Sequence, residues 1–212
     1  MKKSYLGYLY TGVALACALG LSACGGSDEG ELQLGMTLSG VTKTGLQISN
    51  KGGTPVAVAP GTTYVFTELV PVDSDYDITI VARPANTDSC VVVGGKGNTG
   101  AVSPRTIAIN CVVTTFPLGG TVTGLTGGDL VVNNGSHSVT VPKGATSFTM
   151  TAPTTANPKF GQVAEGTPYG LTILQQPASG TCSFVAPSAT IGSPSGTMPA
   201  AAVTNLAISC TP

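Results

Sequence analysis

The chain repeats itself, and this repeat limits what it can fold into more than any other feature of the sequence. The same landmarks occur twice in the same order: LGMTLSGVTKTGLQISN from Leu34 aligns with LGGTVTGLTGGDLVVNN from Leu118, VAVAPGTT from Val56 with VTVPKGAT from Val139, YDITIVARP from Tyr76 with YGLTILQQP from Tyr169, and IAINC ending at Cys111 with LAISC ending at Cys210. Such self-similarity indicates two tandem copies of one structural unit. We place repeat 1 at 32–114 and repeat 2 at 115–212.

Each copy has the pattern of short strands rather than of helices. Tyr76, Ile78 and Ile80 alternate with polar or small residues, which puts them on one face of a strand. Repeat 1 contains about seven such runs, bounded by turn-forming residues. They lie near 33–39, 45–50, 55–59, 63–67, 76–83, 89–93 and 105–113. The sequence therefore predicts an all-β chain.

About seven short strands in a segment of this length resemble an immunoglobulin-like or fibronectin-type sandwich. The resemblance implies two tandem Ig-like antiparallel β-sandwich repeats, of a kind that recurs in bacterial surface proteins. The chain has no Trp, so it lacks the tryptophan that packs on the disulfide of antibody domains.

Four cysteines occupy equivalent positions in the two copies. They are Cys90, Cys111, Cys182 and Cys210. Four thiols allow three pairings, but only bridges 90–111 and 182–210 keep the two copies equivalent. In an antiparallel hairpin the first bridge sets Val92 opposite Ile109, and the midpoints of the two connections fall near Gly100 and Gly196. We therefore expect one disulfide within each repeat and a turn at each of these glycines.

The first residues have the charged and apolar regions of a secretory signal. Lys2 and Lys3 precede an apolar run that ends in Leu-Ser-Ala-Cys at 21–24, and this ending resembles the lipobox of bacterial lipoproteins. The resemblance implies a signal peptide over 1–23, a lipid on Cys24 and a flexible acidic tether over 24–31. Gly25 stands where an Asp commonly retains Gram-negative lipoproteins in the inner membrane, which favours the outer membrane.

Charge and motif content argue against nucleic-acid binding and against catalysis. From Cys24 onward there are seven Lys or Arg and ten Asp or Glu, a net charge of −3, whereas phosphate contacts need clustered cations. The GxGxxG at 95–100 precedes a β-branched run rather than a helix, and 192–196 has Pro194 where a nucleophile elbow needs its nucleophile. His137, the single histidine, follows the turn signal at 133–136 and is expected in an exposed loop. We predict no enzyme and no cofactor.

Metal binding has one weak candidate. Asp73, Asp75 and Asp77 are spaced like the start of a calcium loop, but Ile78 and Pro84 occupy the places where an EF-hand has Gly and Glu. The four cysteines lack the CxxC spacing of zinc sites. We predict no metal site beyond this calcium candidate, for which the alternative is a solvated acidic turn.

These features predict a lipid-anchored lipoprotein of the bacterial cell envelope that acts as a non-enzymatic structural or interaction module. The membrane is its expected partner, through the lipid. The alternative is a module that binds a glycan or another envelope partner with loops at one end of the sandwiches, such as 94–105 and 151–168. The sequence names no surface protein or glycan and no oligomeric state.

Overall fold

The computed structural model describes residues 30–101 and 106–212, which form two β-sandwiches in tandem. Every regular element within those residues is a β-strand. The predicted fold class, two tandem Ig-like β-sandwich repeats with one disulfide in each, is confirmed.

The described residues of repeat 1 form eight strands. They are β1 (Glu31–Ser39), β2 (Leu46–Asn50), β3 (Val56–Val58), β4 (Thr63–Pro71), β5 (Asp75–Ala82), β6 (Thr87–Val93), β7 (Lys96–Asn98) and β8 (Ala108–Val113). Seven of them lie where the sequence predicted strands. The eighth, β7, was missed because three residues with a central glycine are too short to show alternation.

Repeat 2 contains the equivalent strands and two additional short ones. They are β9 (Thr115–Phe116), β10 (Leu118–Thr123), β11 (Leu130–Asn134), β12 (His137–Val141), β13 (Ser147–Thr149), β14 (Val163–Ala164), β15 (Pro168–Gln175), β16 (Thr181–Phe184), β17 (Ser195–Thr197) and β18 (Val203–Thr211). Strands β9 and β14 pair with each other as the outer ends of β1 and β4 do in repeat 1, where Leu32 pairs with Val70, but here each is separated from the rest of its strand.

The two repeats have the same strand order. The sheets of repeat 1 run β4-β1-β8-β6 and β3-β2-β5-β7, and those of repeat 2 run β13-β10-β18-β16 and β12-β11-β15-β17. The first and last strands of each repeat are parallel neighbours, β1 with β8 and β10 with β18, whereas the other pairs are antiparallel. The ends of each repeat are thus joined within one sheet.

Each sandwich encloses its own apolar core, because alternate side chains of its strands point inward. In β1, Leu34, Met36 and Leu38 are buried. The core of repeat 1 also includes Leu46, Ile48, Phe66, Tyr76, Ile78, Ile107 and Ile109. The core of repeat 2 includes Leu118, Leu130, Val132, Phe148, Met150, Leu171, Met198, Leu206 and Ile208. Independent folding of 32–114 and 115–212 stays a prediction.

A tyrosine covers a glycine at the same place in both repeats. Tyr76 Oη donates to Gly94 O at 3.2 Å, and Tyr169 Oη donates to Ser193 O at 3.3 Å. A Cβ on Gly97 would lie 2.8 Å from Tyr76 Oη, and one on Gly196 would lie 3.0 Å from Tyr169 Oη. The turn expected at Gly196 is therefore wrong: this glycine lies in β17 and admits the ring of the tyrosine.

Candidate functional site

The disulfides join the last strand of each repeat to its neighbour. Cys90 of β6 lies opposite Cys111 of β8, with Cα atoms 4.0 Å apart, and Cys182 of β16 lies opposite Cys210 of β18 at 3.9 Å. The predicted pairing and the predicted register of Val92 with Ile109 are both confirmed. The four sulfurs therefore serve as crosslinks.

Two of the three aspartates of the calcium candidate are engaged by side chains of the neighbouring strand β7. Asp77 binds Lys96 with Oδ2 and Nζ 3.1 Å apart, and Asp75 Oδ1 accepts from Asn98 Nδ2 at 3.1 Å. Asp73 lies in the preceding turn at φ +52°. Among residues 30–101 and 106–212 no group of three or more His, Cys, Asp or Glu could hold a metal ion. The calcium interpretation stays a prediction without a converging set of ligands.

His137 does not lie in an exposed loop, so this prediction is wrong. It is half-buried at the start of β12, where Nε2 donates to Met150 O at 2.6 Å. Its ring also meets the ring of Phe160 edge-on, with centroids 4.7 Å apart. The turn at 133–136 does lead into β12 as expected. The imidazole therefore attaches the segment after β13 to its own sandwich.

The two candidate ligand loops lie at opposite ends of repeat 1. The first, described to residue 101, lies beside Gly30, since Gly30 O accepts from Val72 N at 2.8 Å and Gly100 O accepts from Asp73 N at 2.9 Å. The second reaches the other end of repeat 1, where Lys159 binds Asp88. The described residues of the two loops therefore do not form a single ligand surface.

A cleft of about 460 Å³ opens between the edge strands β12 and β13 of repeat 2. Its lining side chains are short hydroxyls and apolar groups: Ser138, Val139, Thr140, Val141, Pro142, Ser147, Phe148, Thr149, Thr151 and Ala152. None of these residues carries a charge. The cleft could hydrogen-bond a neutral ligand through hydroxyls, but it offers no acid, base or nucleophile pair.

Asp88 and Lys159 form an ion pair between the repeats. Nζ of Lys159 lies 2.5 Å from Oδ2 of Asp88, and Thr114 Oγ1 donates to Oδ1 at 2.9 Å. These two hydrogen bonds, that of Lys159 first, lower the pKa of Asp88 below its ordinary value of 3.8. The carboxylate is solvent-exposed, so screening limits its contribution to stability.

The pH dependence of this pair gives a first prediction. A carboxyl group with a lowered pKa in the folded state stabilises that state above pH 3.8, and this contribution is lost as pH falls through the lower, folded value. In an NMR titration, Lys159→Ala should move the pKa of Asp88 up towards 3.8. Lys96→Ala removes an ion pair elsewhere and should leave it unchanged. Equal midpoints in the wild type and Lys159→Ala would contradict the assigned cause.

Cys24 and the rest of residues 1–29 lie outside the described residues, so the predicted signal, lipid site and most of the tether are not observed. Within the described ranges no helix is long and apolar enough to cross a membrane.

Comparison with solved structures finds similarity to bacterial proteins at low sequence identity. The Bacillus anthracis TIE protein has a TM-score of 0.37 at 12% identity, over 86% of this chain and 34% of that one. A single B repeat unit (B1) of the collagen binding surface protein of Staphylococcus aureus has a TM-score of 0.25 at 10% sequence identity, over 86% of this chain and 98% of that one. The major pilin protein (T3.2) of Streptococcus pyogenes has a TM-score of 0.25 at 11% sequence identity, over 87% of this chain and 98% of that one.

The chain thus spans about a third of the length of the TIE protein. No family model and no curated protein sequence matches it. Similarity at these identities and TM-scores carries no inference about function.

Proposed function

We propose that the protein is a lipid-anchored lipoprotein of the bacterial cell envelope whose two β-sandwiches form a non-enzymatic structural or interaction module. The observation that carries this proposal is the pair of disulfides, one inside each repeat. Such bridges persist in oxidising compartments outside the cytoplasm. They support export, which the signal-like residues before Cys24 also predict.

The position of β1 supports attachment close to a membrane. This strand begins at Glu31, so only the six residues 25–30 separate it from the cysteine of the lipobox. Six extended residues span about 20 Å, and repeat 1 would therefore stay near the lipid surface. The membrane is the proposed partner through the lipid, and Gly25 favours the outer membrane in a Gram-negative cell.

The role as a structural module agrees with the chemistry of the described residues. The half-buried His137 is hydrogen-bonded to a backbone carbonyl, and the four cysteines of the two repeats are crosslinked. The cleft of repeat 2 has neutral walls. For an interaction role, a surface protein or a glycan would be the partner.

Substitution of the lipobox cysteine tests the anchor. Cys24→Ser should abolish labelling by palmitate analogues and move the protein from the membrane to the soluble fraction after export, because no thiol remains at the lipobox position to carry the lipid. Cys17→Ser is the matched control: it removes a cysteine from the apolar run and should keep both labelling and membrane retention. Unchanged retention of Cys24→Ser would show that the apolar segment itself anchors the chain.

A further inference from the structure

Repeat 2 has a long insertion at the end that faces repeat 1. Ten residues separate Val65 from Tyr76 in repeat 1, whereas nineteen separate their counterparts Thr149 and Tyr169 in repeat 2, and 150–167 connects β13 to β15 there. We call 150–167 the docking loop. It leaves β13 next to the start of β10, as Thr149 pairs with Gly119, and therefore emerges where the chain arrives from repeat 1.

The docking loop is fixed to its own sandwich. Phe160 packs against His137, whose Nε2 donates to Met150 O. Within the loop, Ala152 N donates to Phe160 O at 2.9 Å, and Thr154 N donates to Asn157 O at 3.0 Å. The loop therefore moves with repeat 2.

Two ion pairs connect the docking loop to repeat 1. Lys159 binds Asp88 at the start of β6, and Glu165 binds Lys43 in the segment after β1. Glu165 is 7% exposed, whereas Lys43 is 55% exposed. A buried carboxylate is costly unless a cation accompanies it, so separating the repeats would leave Glu165 either unpaired or newly hydrated.

The connecting residues are held from both sides. Thr114 N donates to Asn86 O in repeat 1 at 2.9 Å, and Thr114 O accepts from Glu165 N in the docking loop at 2.9 Å. The next two residues form β9, which pairs with β14 of the docking loop. Thr115 Oγ1 also donates to Gln162 Oε1 at 2.8 Å. Backbone hydrogen bonds thus leave little freedom for a hinge.

Lys43 and Asp88, which bind the docking loop, lie at one end of repeat 1, and the corresponding end of repeat 2 has other residues at these positions. The repeat alignment puts Gly127 of repeat 2 where repeat 1 has Lys43, and Gly180 where it has Asp88. The two positions that pair with the docking loop are therefore charged in repeat 1 and glycine in repeat 2, so these contacts are specific to the junction between the two repeats.

We propose that the docking loop locks repeat 2 onto repeat 1 in one orientation, so that the two sandwiches act as a single rigid unit. Tandem domains joined by a short linker ordinarily move relative to each other, and here the linker and the ion pairs oppose that motion. The inference does not depend on the lipid anchor, since every contact lies between Thr42 and Tyr169.

Distance measurements between the repeats test this proposal. Nitroxide labels on non-canonical residues at Thr67 and Ser183, both exposed, leave the disulfides intact in the full-length protein. Double electron–electron resonance should then give a single narrow distance distribution. The double variant Lys159→Ala with Glu165→Ala removes both ion pairs and should lose this narrow distribution in favour of a broad one.

Lys96→Ala is the matched control, because it removes an ion pair within repeat 1 and should leave the distribution narrow. Near-UV circular dichroism checks that the double variant keeps both folded cores. A broad distribution in the unsubstituted protein would overturn the proposal. A distribution that stays narrow in the folded double variant would overturn the part given to the ion pairs and would leave the lock to the backbone pairing of β9 with β14.

Discussion

Gly124→Ala is expected to destabilise repeat 2 by about 3 kcal/mol, because it adds steric overlap to backbone strain. Gly124 has φ +74°, and a Cβ there would lie 2.2 Å from the carbonyl oxygen of Cys210. That oxygen belongs to β18, which is hydrogen-bonded to β10 and crosslinked to β16. The backbone can therefore yield only by disturbing the sheet.

Gly144, in the same repeat, distinguishes the effect of steric overlap from that of backbone strain. Gly144 has φ +81°, but a Cβ there would meet nothing within 4 Å. Gly144→Ala should thus cost only the strain of a positive φ, about 1–2 kcal/mol. Chemical denaturation monitored by circular dichroism measures both variants, and equal losses would contradict the clash with Cys210.

The same comparison can be made in repeat 1. Gly40, the counterpart of Gly124, has φ +73° and would place a Cβ 2.0 Å from the carbonyl oxygen of Cys111. Gly52 has φ +67° and open space around it. The repeat alignment therefore predicts that Gly40→Ala is the more damaging of this pair as well.

Removing the second disulfide is expected to destabilise repeat 2 by about 3 kcal/mol, chiefly because the unfolded chain regains the freedom of a closed loop. Cys182→Ala with Cys210→Ala opens a loop with a sequence separation of 28. Both cysteines are buried, so the lost packing adds to this effect. Thermal and chemical denaturation under non-reducing conditions would measure it.

The first disulfide provides the matched variant. Cys90→Ala with Cys111→Ala opens a loop with a separation of 21, for which loop entropy gives a cost only about 0.3 kcal/mol smaller. Each double variant should lower the stability of its own repeat, and peptide mapping should still find the other bridge. Recovery of cross-repeat bridges in the unsubstituted protein would contradict the pairing.

Most of the strand arrangement could be predicted because it depends on local alternation and on equivalence between the copies. Tyr76, Ile78 and Ile80 mark one face of β5 without any knowledge of their partners. The register of β6 on β8 follows once Cys90 is paired with Cys111, since a bridge between neighbouring strands leaves one alignment. The repeat then carries the same register into the second copy.

Other features could not be predicted because they depend on contacts between residues that are distant in sequence. Gly196 looks like a turn residue until Tyr169 is found above it, and His137 looks exposed until Met150 and Phe160 are placed beside it. The short strand β7 exists because β5 provides a partner for its backbone. Its own three residues have no strand pattern.

The candidate site likewise combines features that the sequence predicts with features that depend on the tertiary structure. The sequence by itself determined the two copies, their disulfides and the residues that could carry a lipid, because motif, order and spacing are properties of the chain alone. Only the tertiary structure brings Lys159 and Glu165 against repeat 1; the sequence had suggested a ligand loop at 151–168. Lys43 and Glu165 are 122 residues apart, and no local pattern indicates that folding brings the cation to the buried carboxylate. Burial and charge pairing across a junction arise only when both surfaces have formed.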